Sequence, residues 1–167
     1  MPIWLFLLTQ FSILAYALLG GVFLAFSDFI MRALANTGGI GGIEAMQSIN
    51  RAVFRWVFMA LFLGMVPVSL VISGYSALNS GSPAMALMLL AGLIYLIGCF
   101  GVTIVFNVPM NEALAGMALS ADATRHYWTT TYLPRWTFWN TVRTAACLTA
   151  AGLLLGGSVL ELQNRAG

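Results

Sequence analysis

Trp136, Asn140 and Arg143 recur at i, i+4 and i+7 inside a run of apolar residues, and Asn107-Val-Pro109-Met-Asn111-Glu112 ends another such run. On a helix the first three line one stripe with Trp139 beside it, and Asn107 and Asn111 share a face one turn apart. Amides and a guanidinium can donate hydrogen bonds to an oxyanion, and tryptophan faces can stack on flat rings. Arg143 would lie about 10 Å deeper than Trp136 at the rise of an α-helix. A charge at that depth is costly enough to face the bundle interior and a partner, for which Glu112, Asp28, the asparagine carbonyls or an anionic ligand are the candidates. Imidazole exchanges protons near neutrality, so His126 is one candidate base, although on a continuous helix it points away from the Trp136 stripe, as an exposed interfacial residue would. Glu112 is the other, with pairing to a nearby arginine as its alternative use.

The elements that position these residues are apolar. The chain has 167 residues, of which 60% are hydrophobic and 7% charged, and its mean hydropathy is +0.92. Those values belong to a membrane protein. Runs able to cross about 30 Å of hydrocarbon as helices fall at residues 3–26, 53–78, 84–106 and 136–160. The expected fold is all-α: one integral membrane domain over residues 1–167, a four-transmembrane-helix bundle with interfacial helical extensions on one side.

A formal charge of +2 with scattered arginines excludes nucleic-acid binding, which needs a concentrated basic surface. Cys99 and Cys147 read as small packing residues inside helices. The single His126 rules out a bis-histidine haem, and no His/Cys/carboxylate spacing points to zinc or iron. Ala15-Tyr-Ala17 faintly resembles a cleavage site, but no basic region precedes it, so the first run is expected to be retained.

The first helix should pass the hydrocarbon edge with Asp28 and Arg32 paired four apart, then stop at Asn36-Thr-Gly-Gly39, with the glycines of 38–42 as loop. The second should begin near Glu44 and run on through Pro67. Ser82 caps the third and Pro83 opens it; the third continues past the membrane to about Leu119. Ser120 or Asp122 should cap an interfacial piece with Arg125, His126 and Trp128, and Pro134 marks the start of the fourth. Connections 28–52 and 107–135 then share one side, carrying Arg32, Arg51, Arg55, Arg125 and Arg135, with Arg165 on the other. The positive-inside rule places the long connections in the cytoplasm and both termini outside.

Every helix brings polar residues to that side: Asp28; Gln47, Asn50, Arg51 and Arg55; Asn107, Asn111 and Glu112; Asn140 and Arg143. Snorkelling and topology account for Arg32, Arg125 and Arg135. Membrane structure alone gives no reason for Asn50, Asn107, Asn111, Asn140 and Arg143 to meet at one depth, and a ligand pocket does. Gly98, Gly152 and Gly156 read as close-packing positions.

Phe26-Ser-Asp-Phe29, Ala45-Met-Gln-Ser-Ile-Asn-Arg51, Phe106-Asn-Val-Pro-Met-Asn111 and Trp136-Thr-Phe-Trp-Asn-Thr-Val-Arg143 together resemble, in order and spacing, the anthrone oxygenase family, also known as the domain of unknown function 1772. The resemblance implies a four-helix membrane bundle and, by analogy with fungal polyketide pathways, oxidation of an anthrone to an anthraquinone by oxygen without metal or flavin. The family pattern falls on Gln47, Asn50, Asn107, Pro109, Asn111, Trp136, Asn140 and Arg143. The expectation is a cofactor-free oxygenase-like protein in a bacterial inner membrane, acting on a hydrophobic anthrone- or quinol-like aromatic. Arg143, His126 and Glu112 are its catalytic candidates, and Gln47, Asn50, Asn107, Asn111, Trp136, Trp139 and Asn140 its substrate contacts. The alternative is a non-catalytic subunit or a quinone- or lipid-binding accessory of a larger complex or homo-oligomer. A small transporter fits least, for want of an internal repeat.

Overall fold

The computed structural model describes residues 1–38, 40–55 and 57–166, with side chains to residue 164. Gly39 of the expected loop, Trp56 of the second apolar run and the Arg165 side chain lie outside the described residues.

With no water in hydrocarbon to satisfy backbone polar groups, an apolar chain must bond them internally, and all regular structure among the described residues is helical. The helices are α1, Ile3–Ala35; α2, Gly41–Ala52; α3, Val57–Leu78; α4, Pro83–Ala115; and α5, Asp122–Asn164. All but α2 are long and apolar enough to cross a membrane. The 33 residues of α1 and of α4 reach about 50 Å against roughly 30 Å of hydrocarbon, so each projects beyond it. α1 packs on α5 and α3, and α4 packs on the same two helices, which closes a four-membered ring. Its core runs through Leu5, Tyr16, Leu19, Ile72, Met88, Tyr95 and Leu154. A second cluster, Met31, Ile43, Met46, Leu114, Trp128, Tyr132 and Trp136, caps the end where α1 and α4 project.

Local chemistry explains the helix ends. Ser82 accepts from the Met85 amide at 3.3 Å and Pro83 follows at the first helical position, as its type and place predict. Arg32 pairs with Asp28 at 3.0 Å on the exposed face of α1.

Three expectations change. The second apolar run is preceded by a separate helix: α2 starts at Gly41, within the glycine stretch expected as loop and before Glu44, and ends at Ala52, and α3 starts at Val57. α2 is amphipathic, burying Ile43, Met46, Gln47 and Asn50 while Arg51 is exposed, a pattern suited to lying along the interface rather than crossing it. Next, α4 stops at Ala115, short of Leu119. Finally, Pro134 does not start a helix. α5 already runs from Asp122, with Ala121 rather than Ser120 or Asp122 at its cap position, and absorbs the proline in widened π-helical turns over Trp128–Trp136. Proline lacks an N–H and its ring crowds the carbonyl of the preceding turn, and a wider turn relieves both. Thr103–Asn107, just before Pro109, and Phe26–Ile30 are widened in the same way.

Close helix contact rests on glycines, not all of them those the sequence pointed to. A Cβ on Gly98 would lie 2.8 Å from that of Ala146, whereas one on Gly152 meets nothing within 4 Å and one on Gly156 makes only ordinary contact. The tightest site in the ring is Gly92 on α4, where a Cβ would collide with the Ser73 hydroxyl and lie 2.8 Å from the Ser69 carbonyl. Gly92→Val should therefore lower unfolding stability in detergent by about 1–3 kcal/mol, the usual cost of overpacking. Gly64→Val, with open space around it, should stay within about 0.5 kcal/mol of wild type, as surface changes do; both are read from thermal denaturation curves.

Candidate functional site

Side-chain hydroxyls and amides take up the carbonyls that helix ends and widened turns leave under-bonded. Gln47 of α2 donates from Nε2 to the carbonyls of Leu114 at 2.7 Å and Met117 at 3.3 Å, so it closes the end of α4. Asn107 Nδ2 donates to the Trp136 carbonyl at 3.3 Å, tying α4 to the widened part of α5. Asn140 Nδ2 donates to the Phe23 carbonyl at 2.6 Å and to the Ser27 hydroxyl at 2.7 Å, where α1 widens.

On this scaffold sits Arg143. Its side chain is buried, with the residue only 6% exposed, and it donates to Asn140 Oδ1 at 2.6 Å and to Thr103 Oγ1 at 3.3 Å. Its guanidinium carbon lies 4.3 Å from the centroid of the Phe23 ring and 5.3 Å from that of Trp136. Ring faces attract cations, and more strongly where water is excluded. Among the described residues no ion pair includes Arg143, and its Nε is buried without a partner. Of the partners weighed from sequence, an asparagine carbonyl serves, while Asp28 pairs with Arg32 instead.

Arg143 lines a partly enclosed cavity of about 330 Å³, within the range of small-molecule sites. Its walls are mostly apolar, with Phe23 and Phe26 of α1, Met46 and Ile49 of α2, Phe58 and Phe62 of α3, and Ile104 and Val108 of α4. The polar groups on it are Asn50, Thr103, Asn111, Glu112, Asn140 and Arg143, with the Trp136 indole beside them. Asn111 Oδ1 accepts from Tyr132 Oη at 2.7 Å and from Trp136 Nε1 at 2.8 Å, and Asn50 Nδ2 donates to Tyr132 Oη at 3.2 Å. Tyr132 stacks between Trp128 and Trp136, with centroids 5.3 and 6.0 Å away.

The model of the anthrone oxygenase family matches residues 51–153, more than half of the chain. The chain belongs to the anthrone oxygenase family. No curated protein and no solved structure matches it. The matched stretch of the family model carries Asn107, Asn111, Trp136, Asn140 and Arg143, while Asn50, Gln47 and the α1 wall of the cavity precede it.

The residues singled out in the sequence thus fall into separate groups. Asn50, Asn111, Glu112, Trp136, Asn140 and Arg143 converge on the cavity. Gln47 and Asn107 bond backbone carbonyls, and Asn107 Oδ1 is buried with no partner among the described residues. Trp139 stacks on Phe106 at 3.6 Å between centroids and is not part of the cavity wall. His126 is exposed near the start of α5, away from the wall. Among the described residues no group of three or more His, Cys, Asp or Glu side chains could hold a metal ion. Sequence reasoning passed over Tyr132, Thr103 and Phe23. For Tyr132 a signal existed, since it extends the stripe of Trp136 and Asn140 by one turn, but Pro134 hid it by marking a helix start.

Because Asn140 is the acceptor for a buried cation, Asn140→Ala should destabilise the protein by roughly 1.5–3 kcal/mol, the range for hydrogen bonds to charged groups. Thr141→Ala, on the exposed neighbour that also reaches Ser27, should cost about 0.5 kcal/mol or less. Unfolding in detergent, followed by circular dichroism, checks both.

Proposed function

We propose that this protein oxidises a hydrophobic aromatic compound of the anthrone or quinol type with molecular oxygen, without a cofactor, inside the cavity at the capped end of its bundle. The observation that carries this reading is Arg143, a buried guanidinium with an unused N–H beside an aromatic-walled cavity and with no carboxylate paired to it among the described residues. Such a group is complementary to negative charge developing on a ligand oxygen. In a site that excludes water, that complementarity is worth far more than in solution.

The chemistry needs little else. A methylene flanked by phenolic rings is acidic, because its carbanion delocalises onto ring oxygens. Loss of its proton and transfer of one electron to oxygen give a radical pair that closes to a hydroperoxide on the same carbon. Loss of water then leaves a carbonyl, so CH₂ and O₂ become C=O and H₂O. Arg143 and the Asn111 amide stabilise the ring oxyanion, and Phe23 and Phe26 hold the flat rings. Glu112 is the carboxylate on the cavity wall and the candidate base, and its exposure gives the proton a path to solvent. Phe54, Leu63 and Ile104 belong to the wall and are also exposed, which supports delivery of substrate and oxygen from the lipid.

Burial of Asn107, Asn140 and Arg143 favours this reading over a non-catalytic subunit, whose docking residues would lie on the surface. The capped end, where Arg51, Arg55, Arg125 and Arg135 are exposed, is proposed to face the cytoplasm.

Purified protein given emodin anthrone should consume oxygen faster than the uncatalysed background and release the anthraquinone. Arg143→Ala and Asn111→Ala should each slow turnover about 100- to 1,000-fold, as loss of an oxyanion donor does. An oxygen electrode and product absorbance read both, and turnover no faster than background, or variants as fast as wild type, would sink the enzyme reading.

A further inference from the structure

Asn111 lies on the cavity wall with one amide and two possible orientations, and only one of them serves an oxyanion. Its Oδ1 receives both the Tyr132 hydroxyl, at 2.7 Å, and the Trp136 indole N–H, at 2.8 Å. Those bonds occupy the carbonyl, and among the described residues Nδ2 takes no partner. The two contacts are unequal in what they enforce. A phenol can donate or accept, so Tyr132 could meet either end of a turned amide. An indole N–H can only donate, so Trp136 accepts no amide NH₂. With Trp136 in place, a turned Asn111 would set its NH₂ against an N–H and lose the bond; the oxygen must therefore face the indole.

We infer that Trp136, through its indole N–H, is the positioning residue that fixes the Asn111 amide with its NH₂ toward the cavity, where it acts with the Arg143 guanidinium as a donor pair for an anionic ligand oxygen. Tyr132 supports this orientation but does not select it. Its hydroxyl also accepts from Asn50 Nδ2 at 3.2 Å, so it can turn to serve either face of the amide. The inference rests on the proposed oxidation for its kinetic readout only, since donor orientation also governs how an anionic oxygen binds.

The asymmetry separates positioning from mere support. Tyr132 is fully buried and makes hydrogen bonds to both Asn50 and Asn111, so on structural grounds its loss should hurt at least as much as loss of one indole N–H. Positioning predicts the reverse. Trp136→Phe keeps a ring but lets the amide turn and present its oxygen to the substrate oxyanion, and should lower kcat about tenfold or more with KM within about twofold, a part of the full loss of a donor. Tyr132→Phe should cost less in kcat. Asn111→Asp accepts from both Trp136 and Tyr132 as before yet has no N–H to give, so it should fold with near wild-type stability and fall to the level of Asn111→Ala.

The kinetic arm uses oxygen uptake with emodin anthrone. The binding arm, which needs no turnover, measures the affinity of the same proteins in nanodiscs for emodin at a pH where the phenol is ionised, with thermal unfolding run beside it. Weaker emodin binding in Trp136→Phe than in Tyr132→Phe, at equal stability, supports positioning whether or not wild type turns over anthrone. An equal or larger loss in Tyr132→Phe, or wild-type behaviour of Trp136→Phe, overturns it. Absence of anthrone turnover with that binding order intact would remove the oxidation reading alone.

Discussion

A guanidinium held inside a membrane bundle, with no carboxylate paired to it among the described residues, is the constraint around which the capped end is built. Burying a charge costs several kcal/mol even after relaxation, and the cost is met only if hydrogen bonds and polarisable groups replace water. For Arg143 the replacements come from different helices: the Asn140 carbonyl on α5, the Thr103 hydroxyl on α4 and the ring of Phe23 on α1. Asn140 is held in turn by the Phe23 carbonyl and Ser27. Among the described residues the arrangement stops one bond short, at Nε.

That arrangement depends on helices that depart from regular α geometry where it is needed. An ideal helix keeps its carbonyls engaged and offers none to a neighbour. The widened turns in α1, α4 and α5 re-space the ladder, and buried amides bond carbonyls at or beside them. Pro109 and Pro134 lie next to or within such turns, and in lipid the irregularity is tolerable because neighbouring side chains re-satisfy what it frees. The amphipathic α2 then covers the end with Ile43 and Met46, tied to α4 through Gln47. Below this layer the ring is mostly apolar and tight, with close approach at Gly92 and Gly98.

The fold was largely legible in the sequence, because four long apolar runs in so short a chain admit few other outcomes, and Ser82-Pro83 announces its helix. Much of the cavity's polar wall was legible too. Asn50, Asn111, Asn140 and Arg143 stood out because polar residues in hydrocarbon need a reason. What misled were signals that carry two meanings. Pro134 reads equally as a helix start or as a residue absorbed by a wide turn. Trp139 lies beside the stripe by helical spacing, yet it sits about 100° around the helix from Asn140 and faces Phe106. Met46, Ile49 and Val53 keep helical spacing whether or not the chain breaks after Ala52.

The sequence by itself determined that the chain is a membrane bundle and that one end of it is polar, because hydropathy and the periodicity of a helix are properties of local order. Only the tertiary structure decided which asparagines reach the cavity, which bond backbone carbonyls and which, like Asn140, do both. That division depends on where widened turns leave carbonyls open and on which neighbouring helix reaches them. Partners such as Asn140 and Phe23 lie more than a hundred residues apart in the chain, so no local pattern could record it.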